Sequence, residues 1–260
     1  MAGLPALARL AEESGFTDAW SYEVNLFDPF TPLAAAAATT AGMRLGTAIV
    51  PVFTRPPGVI AVSAAALADL APGRFALGLG ASTKVLVERW YGVPFERPLA
   101  RTREVLLQVR QLLAGERVGE LRLGRPPAQP PPIWLAALGP RMLELARELA
   151  DGVCFYMVGP RGLPALIEAA GGKESVCRIN VFPGGGGEVD DFARRQVVAY
   201  AIVPYYARAM ERQGFGEEVA SIGRLWSQGE RRSAPGQVSQ AMLDELTLRG
   251  SPGEVAAGLQ

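Results

Sequence analysis

The sequence predicts an α/β protein of parallel β-α units around one core, of a size that suits a (β/α) barrel. Three observations predict it. Short β-rich runs alternate with longer helical patterns, which argues against a sandwich or a bundle. The run from Arg44 to Val52 is almost unbroken in its apolar character, as in a strand buried on both faces. At 260 residues the chain has about the length at which such a barrel forms one domain, so residues 1–260 are read as a single domain.

The elements follow in order. A first helix spans Leu4 to Ser14 and is closed by Gly15 in the C′ position, where a left-handed backbone is needed. Thr17 to Tyr22 is a strand, and Asp28-Pro29 opens a second helix, with Asp28 as N-cap and proline at N1. After the strand Arg44 to Val52 come a helix from Pro57 to Leu70 and a strand from Arg74 to Gly80. A loop then leads to an amphipathic helix from about Pro98 to Ala114. The prolines between Pro126 and Pro132 exclude regular structure and deliver an extended connection to the strand Ile133 to Ala137. Gly139-Pro140 opens a helix through Ala150, and strands follow at Gly152 to Met157 and Val176 to Phe182. From about Val189 the chain is mostly helical, ending in the capping box Ser251-Pro252-Gly253-Glu254.

Composition excludes several kinds of function. Twenty-six basic residues balance twenty-six acidic ones, so neither nucleic acid nor an anionic lipid surface is an expected partner. The longest apolar run, Leu33 to Ala41, falls far short of the roughly 20 residues that span a bilayer. Met1 leads into an amphipathic stretch without the features of a signal peptide, which places the protein in the cytoplasm. Cys154 and Cys177 lie outside any ligand-spaced cluster and are expected as reduced thiols, and no metal site is expected. The chain contains no histidine. Histidine-based triads, H-E-x-x-H zinc sites and histidine general bases are therefore excluded, which favours a bound organic cofactor and a small-molecule substrate.

In a barrel the working residues stand where strands end. Glu23 follows the strand Thr17 to Tyr22 and is a candidate acid, base or hydrogen-bond partner, with a solvated loop carboxylate as the alternative. Gly80, Ala81 and Ser82 close the strand Arg74 to Gly80 with small residues that permit close backbone approach, although a G-x-G without the full dinucleotide fingerprint more often marks a tight turn. Ala137, Leu138, Gly139 and Pro140 lead into a helix whose first N–H groups attract phosphate. Arg141 in that first turn opposes the helix dipole, which makes sense if it neutralises a bound anion; a plain surface arginine is the alternative. Asp69 and Arg74 are expected to form a structural ion pair. Tyr22 and Trp90 are read as core aromatics before substrate-lining ones.

These motifs together resemble the luciferase-like flavin and deazaflavin oxidoreductases, above all the coenzyme F420-dependent group similar to methylenetetrahydromethanopterin reductase. The likeness rests on Ala11-Glu12-Glu13-Ser14-Gly15-Phe16, on Leu45-Gly46-Thr47-Ala48-Ile49-Val50-Pro51 followed by Thr54-Arg55-Pro56-Pro57, and on Leu67 through Gly80. Gly92-Val93-Pro94-Phe95, Pro132 through Arg141 and Ala150-Asp151-Gly152 extend it. The resemblance implies a luciferase-like (β/α)8 TIM barrel that here lacks its first and last strands. It implies a non-prolyl cis peptide at Ala48-Ile49 behind the cofactor ring, ring contacts from Gly80, Ala81 and Ser82, and phosphate contacts from Ala137, Leu138, Gly139 and Pro140. The family's acidic or polar position falls on Glu23; many relatives carry histidine next, where this chain has Val24.

The expected activity is hydride transfer between coenzyme F420 and a small organic substrate, in a homodimer. An FMN-dependent monooxygenase on the same scaffold is the enzyme alternative. A flavin-binding protein without catalysis is the alternative of another class.

Overall fold

A computed structural model describes residues 2–25 and 27–259. The chain divides into two compact units. The first holds the residues up to Ala137 together with Leu145–Cys154, and the second holds Leu138–Glu144 and the residues from Phe155 on.

The first unit contains α1 (Leu4–Glu13), β1 (Asp18–Ser21), α2 (Thr31–Ala37), β2 (Arg44–Thr47), β3 (Val50–Pro51), α3 (Pro57–Leu70), β4 (Phe75–Gly80), α4 (Pro98–Leu113) and β5 (Ile133–Ala136). After α5 (Pro140–Leu149) it closes with the first part of β6 (Gly152–Tyr156). The sheet is parallel, in the order β1-β2-β4-β5-β6, and curls as in a barrel. Its strands are apolar because helices cover them; all six residues of β4 are buried. Each crossover carries the chain back so that successive strand ends gather at one edge.

Packing across the strands matches large side chains to missing ones. Trp20 stands opposite Gly46, and Trp134 stands opposite Gly152. A Cβ on Gly46 would lie 2.2 Å from the Trp20 ring, and one on Gly152 would lie 2.4 Å from the Trp134 ring. The two indoles meet at 5.0 Å between centroids, with the Arg44 guanidinium over both.

α1 is tied to the sheet by Glu12, whose carboxylate accepts the backbone N–H groups of Ala41 (3.1 Å), Gly42 (2.7 Å) and Met43 (2.8 Å) ahead of β2. The backbone bond from Gly42, then that from Ala41, holds its carboxyl below the ordinary glutamate value. A folded-state value below the unfolded one stabilises the fold above the unfolded value, and that contribution is lost as pH falls through the folded one. Glu12→Gln is therefore expected to lower the denaturation midpoint at neutral pH and to flatten its decline between about pH 5 and pH 3. Identical acid limbs in the two proteins would contradict this role.

Several elements differ from the sequence expectation. The strand Arg44 to Val52 is two strands, β2 and β3, interrupted where the Ala48–Ile49 peptide is cis. There Ala48 N donates to Ser21 O (2.6 Å), and β3 pairs with β4 alone. α2 begins at Thr31 rather than at Pro29. Had Pro29 been N1, Pro32 would sit at N4, where its missing N–H would cost the first intrahelical bond; starting at Thr31 places it at N2. Asp28 still caps, accepting from Phe30 N (2.9 Å), Thr31 N (3.1 Å) and the Thr31 hydroxyl. Val85–Trp90, expected as loop, is a π-helical turn. Asp69 pairs with Arg125 (3.1 Å) and not with Arg74, whose guanidinium donates to Met43 O (2.8 Å).

In the second unit β6 ends beside β7 (Ser175–Arg178) after α6 (Leu163–Ala169). The strand expected from Val176 to Phe182 breaks at Ile179 into β7 and β8 (Asn180–Pro183). β8 joins β9 (Thr247–Gly250) in a separate two-stranded parallel sheet, with Asn180 opposite Thr247. β9 interrupts a region read as helical, because four residues carry no periodicity; Arg249 anchors it on Asp190 and Asp244. Helices α7 (Gly187–Ala201), α8 (Pro204–Arg212), α9 (Gly216–Ser227) and α10 (Gln240–Leu246) enclose a core including Val197, Met210, Ile222, Met242 and Leu243. α11 (Pro252–Gly258) starts in the expected capping box, Ser251 with Glu254. Among the described residues no helix is long and apolar enough to cross a membrane. Both cysteines are free, and burial pushes the Cys154 thiol up to about 12 and Cys177 to about 11.

Candidate functional site

The carboxyl edge of the first unit's sheet gathers Glu23, Ile49 and Gly80. Glu23 N donates to Ile49 O (3.2 Å), which fixes the residue after β1 to the cis bulge between β2 and β3. Pro51 stands opposite Gly80 in the register of β3 with β4. A Cβ on Gly80 would lie 3.1 Å from Ile49 Cγ1 and 3.0 Å from Ala136 Cβ. Ile49 and Ala136 therefore close over buried Gly80, where no side chain fits without displacing them. Ala81 and Ser82 continue from Gly80 half-buried, Ser82 with φ +61°, a conformation uncommon outside glycine.

Glu23 is not a solvated loop carboxylate. Its side chain is 3% exposed and pairs with Arg55 Nε at 2.7 Å, while the Thr54 hydroxyl donates to it at 3.0 Å. Burial first, then the charge of Glu23, raises the phenol of Tyr91 above its ordinary value, with Arg55 opposing. Thr54 and Arg55 escaped the sequence reading as site residues, although they lie inside a run that carried the resemblance. Ser21 was missed as well: its buried hydroxyl, at the end of β1, has no hydrogen-bond partner among the described residues. Trp90 is 54% exposed, so it is no core aromatic; Tyr22 is half-buried.

The second expected feature, the start of α5, begins as Pro140 at the first helical position. Ala137 is buried, with its N–H on Cys154 O (3.4 Å), and Leu138 and Gly139 are half-buried. Arg141 is exposed in the first turn. Arg212, which nothing in the sequence singled out, donates to Leu138 O (2.8 Å) and adds a second guanidinium there. Among the described residues no group of histidine, cysteine, aspartate or glutamate side chains has the arrangement of a metal site. A cavity of about 290 Å³ lies elsewhere, at the amino end of β5 between Arg110, the prolines Pro130 to Pro132 and Asp151. That end of a barrel serves stability.

The residues at the carboxyl edge fit a flat, polar-edged ring. Ile49 offers an apolar face, Gly80 has no side chain to displace it, and the unpartnered Ser21 hydroxyl and the Glu23 carboxylate offer polar atoms.

Comparison with known proteins gives the chain's family and fold. The chain is 29% identical over 272 residues to the 5,10-methylenetetrahydromethanopterin reductase of Methanolobus tindarius, covering 96% of this chain and 83% of that protein. Its structure is similar to that of the coenzyme F420-dependent tetrahydromethanopterin reductase from Methanopyrus kandleri, with TM-score 0.71 and 24% identity, over 99% of this chain and 85% of that one. It is also similar, with TM-score 0.60 and 18% identity over 99% and 81% of the two chains, to the oxygenating constituent of 3,6-diketocamphane monooxygenase of Pseudomonas putida in complex with FMN. At these identities the structural likenesses speak for the fold alone. The luciferase-like monooxygenase family matches residues 1–260, and the chain belongs to that family.

Proposed function

We propose that this chain is a coenzyme F420-dependent oxidoreductase that transfers a hydride between the deazaflavin and a small organic substrate. The observation that carries the reading is the buried Glu23, held by Arg55 and Thr54 beside the Ile49 and Gly80 platform. Family membership makes the protein an oxidoreductase-type enzyme, and the likeness to the reductase of Methanolobus tindarius supports the deazaflavin as cofactor. A bound deazaflavin would supply the carbon that gives or takes the hydride, chemistry that no amino-acid side chain provides.

In this reading Ile49, next to Ala48 in the bulge, backs the ring, while Gly80, Ala81 and Ser82 border it. Ala137, Leu138, Gly139 and Pro140 offer phosphate the start of α5, with Arg141 balancing its charge. Glu23 orients the ring or the substrate, and its companions keep water from it. The reading takes the sheet as a (β/α)8 barrel, in one domain, of which this chain carries all but the first and last strands. It takes the protein as a cytoplasmic homodimer; the exposed Leu7, Leu10 and Phe16 support association.

Titration with oxidised and reduced coenzyme F420 and with FMN, by fluorescence and calorimetry, tests the proposal. Micromolar binding of the deazaflavin in preference to FMN is the expected result. Preference for FMN would move the protein to the monooxygenase reading, which the FMN-bound neighbour favours. Tight binding with no turnover over a broad substrate panel would mark a flavin-binding protein without catalysis. Binding of neither coenzyme would sink the proposal.

A further inference from the structure

Four of the chain's six tyrosines meet in the second unit. Tyr156 ends β6, Tyr200 lies in α7, and Tyr205 and Tyr206 stand in the first turn of α8. The Tyr156 ring meets Tyr200 edge-on at 4.8 Å between centroids and Tyr206 at 5.9 Å. Tyr200 and Tyr206 are 5.0 Å apart, and Tyr205 joins Tyr206 at 4.8 Å. Arg178, the last residue of β7, holds its guanidinium 4.2 Å from the centre of the Tyr156 ring and donates from Nη2 to the Tyr156 hydroxyl (3.3 Å). That hydroxyl donates in turn to Oδ1 of Asn180, the first residue of β8 (3.1 Å).

This is not the composition of a core. The helices of this unit bury apolar side chains such as Val197, Met210, Ile222 and Leu243, and Tyr156, Tyr200 and Tyr206 pack against them while only half-buried themselves. Arg178 and Asn180 are half-buried too. Tyrosine is favoured where an apolar body must meet a ligand or partner while its hydroxyl finds a polar atom. Burial, the largest cause in each, raises the phenols of Tyr156, Tyr205 and Tyr206 above the ordinary tyrosine value, so they stay neutral beside the Arg178 cation. In barrels the working residues stand where strands end, and Tyr156 and Arg178 close β6 and β7. The 3.3 Å bond from Arg178 to a neutral phenol is also longer than the about 2.7–2.9 Å that a guanidinium adopts with a carboxylate.

We propose that Arg178 anchors the substrate by a carboxylate and that the tyrosines around it hold the flat, conjugated part of the same molecule. The inference rests on the proposed function and names its substrate class, an aromatic or conjugated carboxylic acid in its ionised form. A guanidinium presents paired N–H donors that match the two oxygens of a carboxylate, and its contact with the Tyr156 ring orients that fork in advance. The carboxylate takes the place of the Tyr156 hydroxyl on Nη2, while Asn180 still accepts from the phenol and keeps the ring in position. Tyrosine rings add rigid contact area at a small cost in side-chain entropy.

Benzoate and its neutral counterpart benzyl alcohol probe the site in protein without coenzyme. By calorimetry the wild type is expected to bind benzoate about tenfold more tightly than benzyl alcohol, and Arg178→Met to bind the two alike. Arg178→Lys keeps the charge and loses the fork, so its preference is expected to fall between them; it carries the test alone if Arg178→Met does not fold. In protein with ring-labelled tyrosines, benzoate is expected to shift the signals of Tyr156 and Tyr200, each identified by its loss on change to phenylalanine. A wild type without preference for benzoate, an unchanged preference in both Arg178 variants, or shifts confined to other tyrosines would overturn the anchor. An arginine that only braces the fold lowers the denaturation midpoint when replaced and leaves the preference intact, which is the second of these outcomes. Coenzyme F420 is titrated separately. Coenzyme binding with no benzoate preference removes the substrate class and leaves the proposed function standing, whereas a benzoate preference without coenzyme binding removes the proposed function and the anchor's part in the reaction with it.

Discussion

Replacing Gly78 by alanine is expected to cost the protein most of its stability. A Cβ at this position in the middle of β4 would lie 1.8 Å from the Thr47 carbonyl oxygen and 3.4 Å from Cys154 Sγ. The obstacle is backbone and cannot rotate away. Thr47 and Gly78 are also locked together: the Thr47 hydroxyl donates to Gly78 O at 2.9 Å and accepts from Gly78 N at 2.8 Å, fully buried. Relieving the clash means separating strand backbones along this lock. Overpacking of a core costs about 1–3 kcal/mol when side chains can adjust. Here about 3 kcal/mol or more is expected, a large share of the roughly 5–15 kcal/mol that holds a domain together. Denaturant unfolding measures it, with Gly124→Ala, which meets nothing within 4 Å, as the neutral control. A midpoint for Gly78→Ala equal to that of the control would refute the close approach of β2 and β4.

Arg55→Ala is the second large effect. It leaves the Glu23 carboxylate, 3% exposed, with the Thr54 hydroxyl but without its cation. Removing one partner of a buried pair costs about 3–5 kcal/mol, because the remaining charge stays desolvated. The Arg55 side chain is itself 23% exposed, so the converse change, Glu23→Gln, is expected to cost less. The double variant Arg55→Ala with Glu23→Gln should be more stable than Arg55→Ala alone, since neither charge is left behind. Equal stability of the double and single variants would mean that the pair is not coupled. Under the proposed function both single variants also lose coenzyme affinity, which separates a positioned carboxylate from a purely structural one.

The helices were legible in the sequence where proline and glycine punctuate them. Pro57, Pro98 and Pro140 each begin a helix as read, and Gly15 takes the left-handed position after α1, at φ +88°. The strands were legible as apolar runs, but their interruptions were not. Neither the break at Ala48–Ile49 nor the one at Ile179 alters hydrophobicity; each reflects which neighbouring strand claims the backbone. The break at Ala48–Ile49 was expected through the resemblance alone. Glu23 was legible as a strand-end residue, yet its partners Thr54 and Arg55 are distant in sequence and meet it only in the fold. The six-residue π-helical turn Val85–Trp90 has no periodic signature of its own, and four residues of β9 are too few to show one.

The indoles of Trp20 and Trp134 also act as gauges of strand alignment. Each ring occupies the space above a glycine on the next strand, Gly46 or Gly152. Sliding β1 by two residues along β2 preserves the alternation of faces but brings Trp20 opposite Arg44 or Ala48, and the same slide along β6 brings Trp134 opposite Ala150 or Cys154. All four carry a Cβ where the ring must lie. Parallel strands are joined by long crossovers that set no register of their own. In this protein two notches and two keys set it, so a misaligned intermediate has nowhere to put its largest side chains and must come apart before it can finish folding.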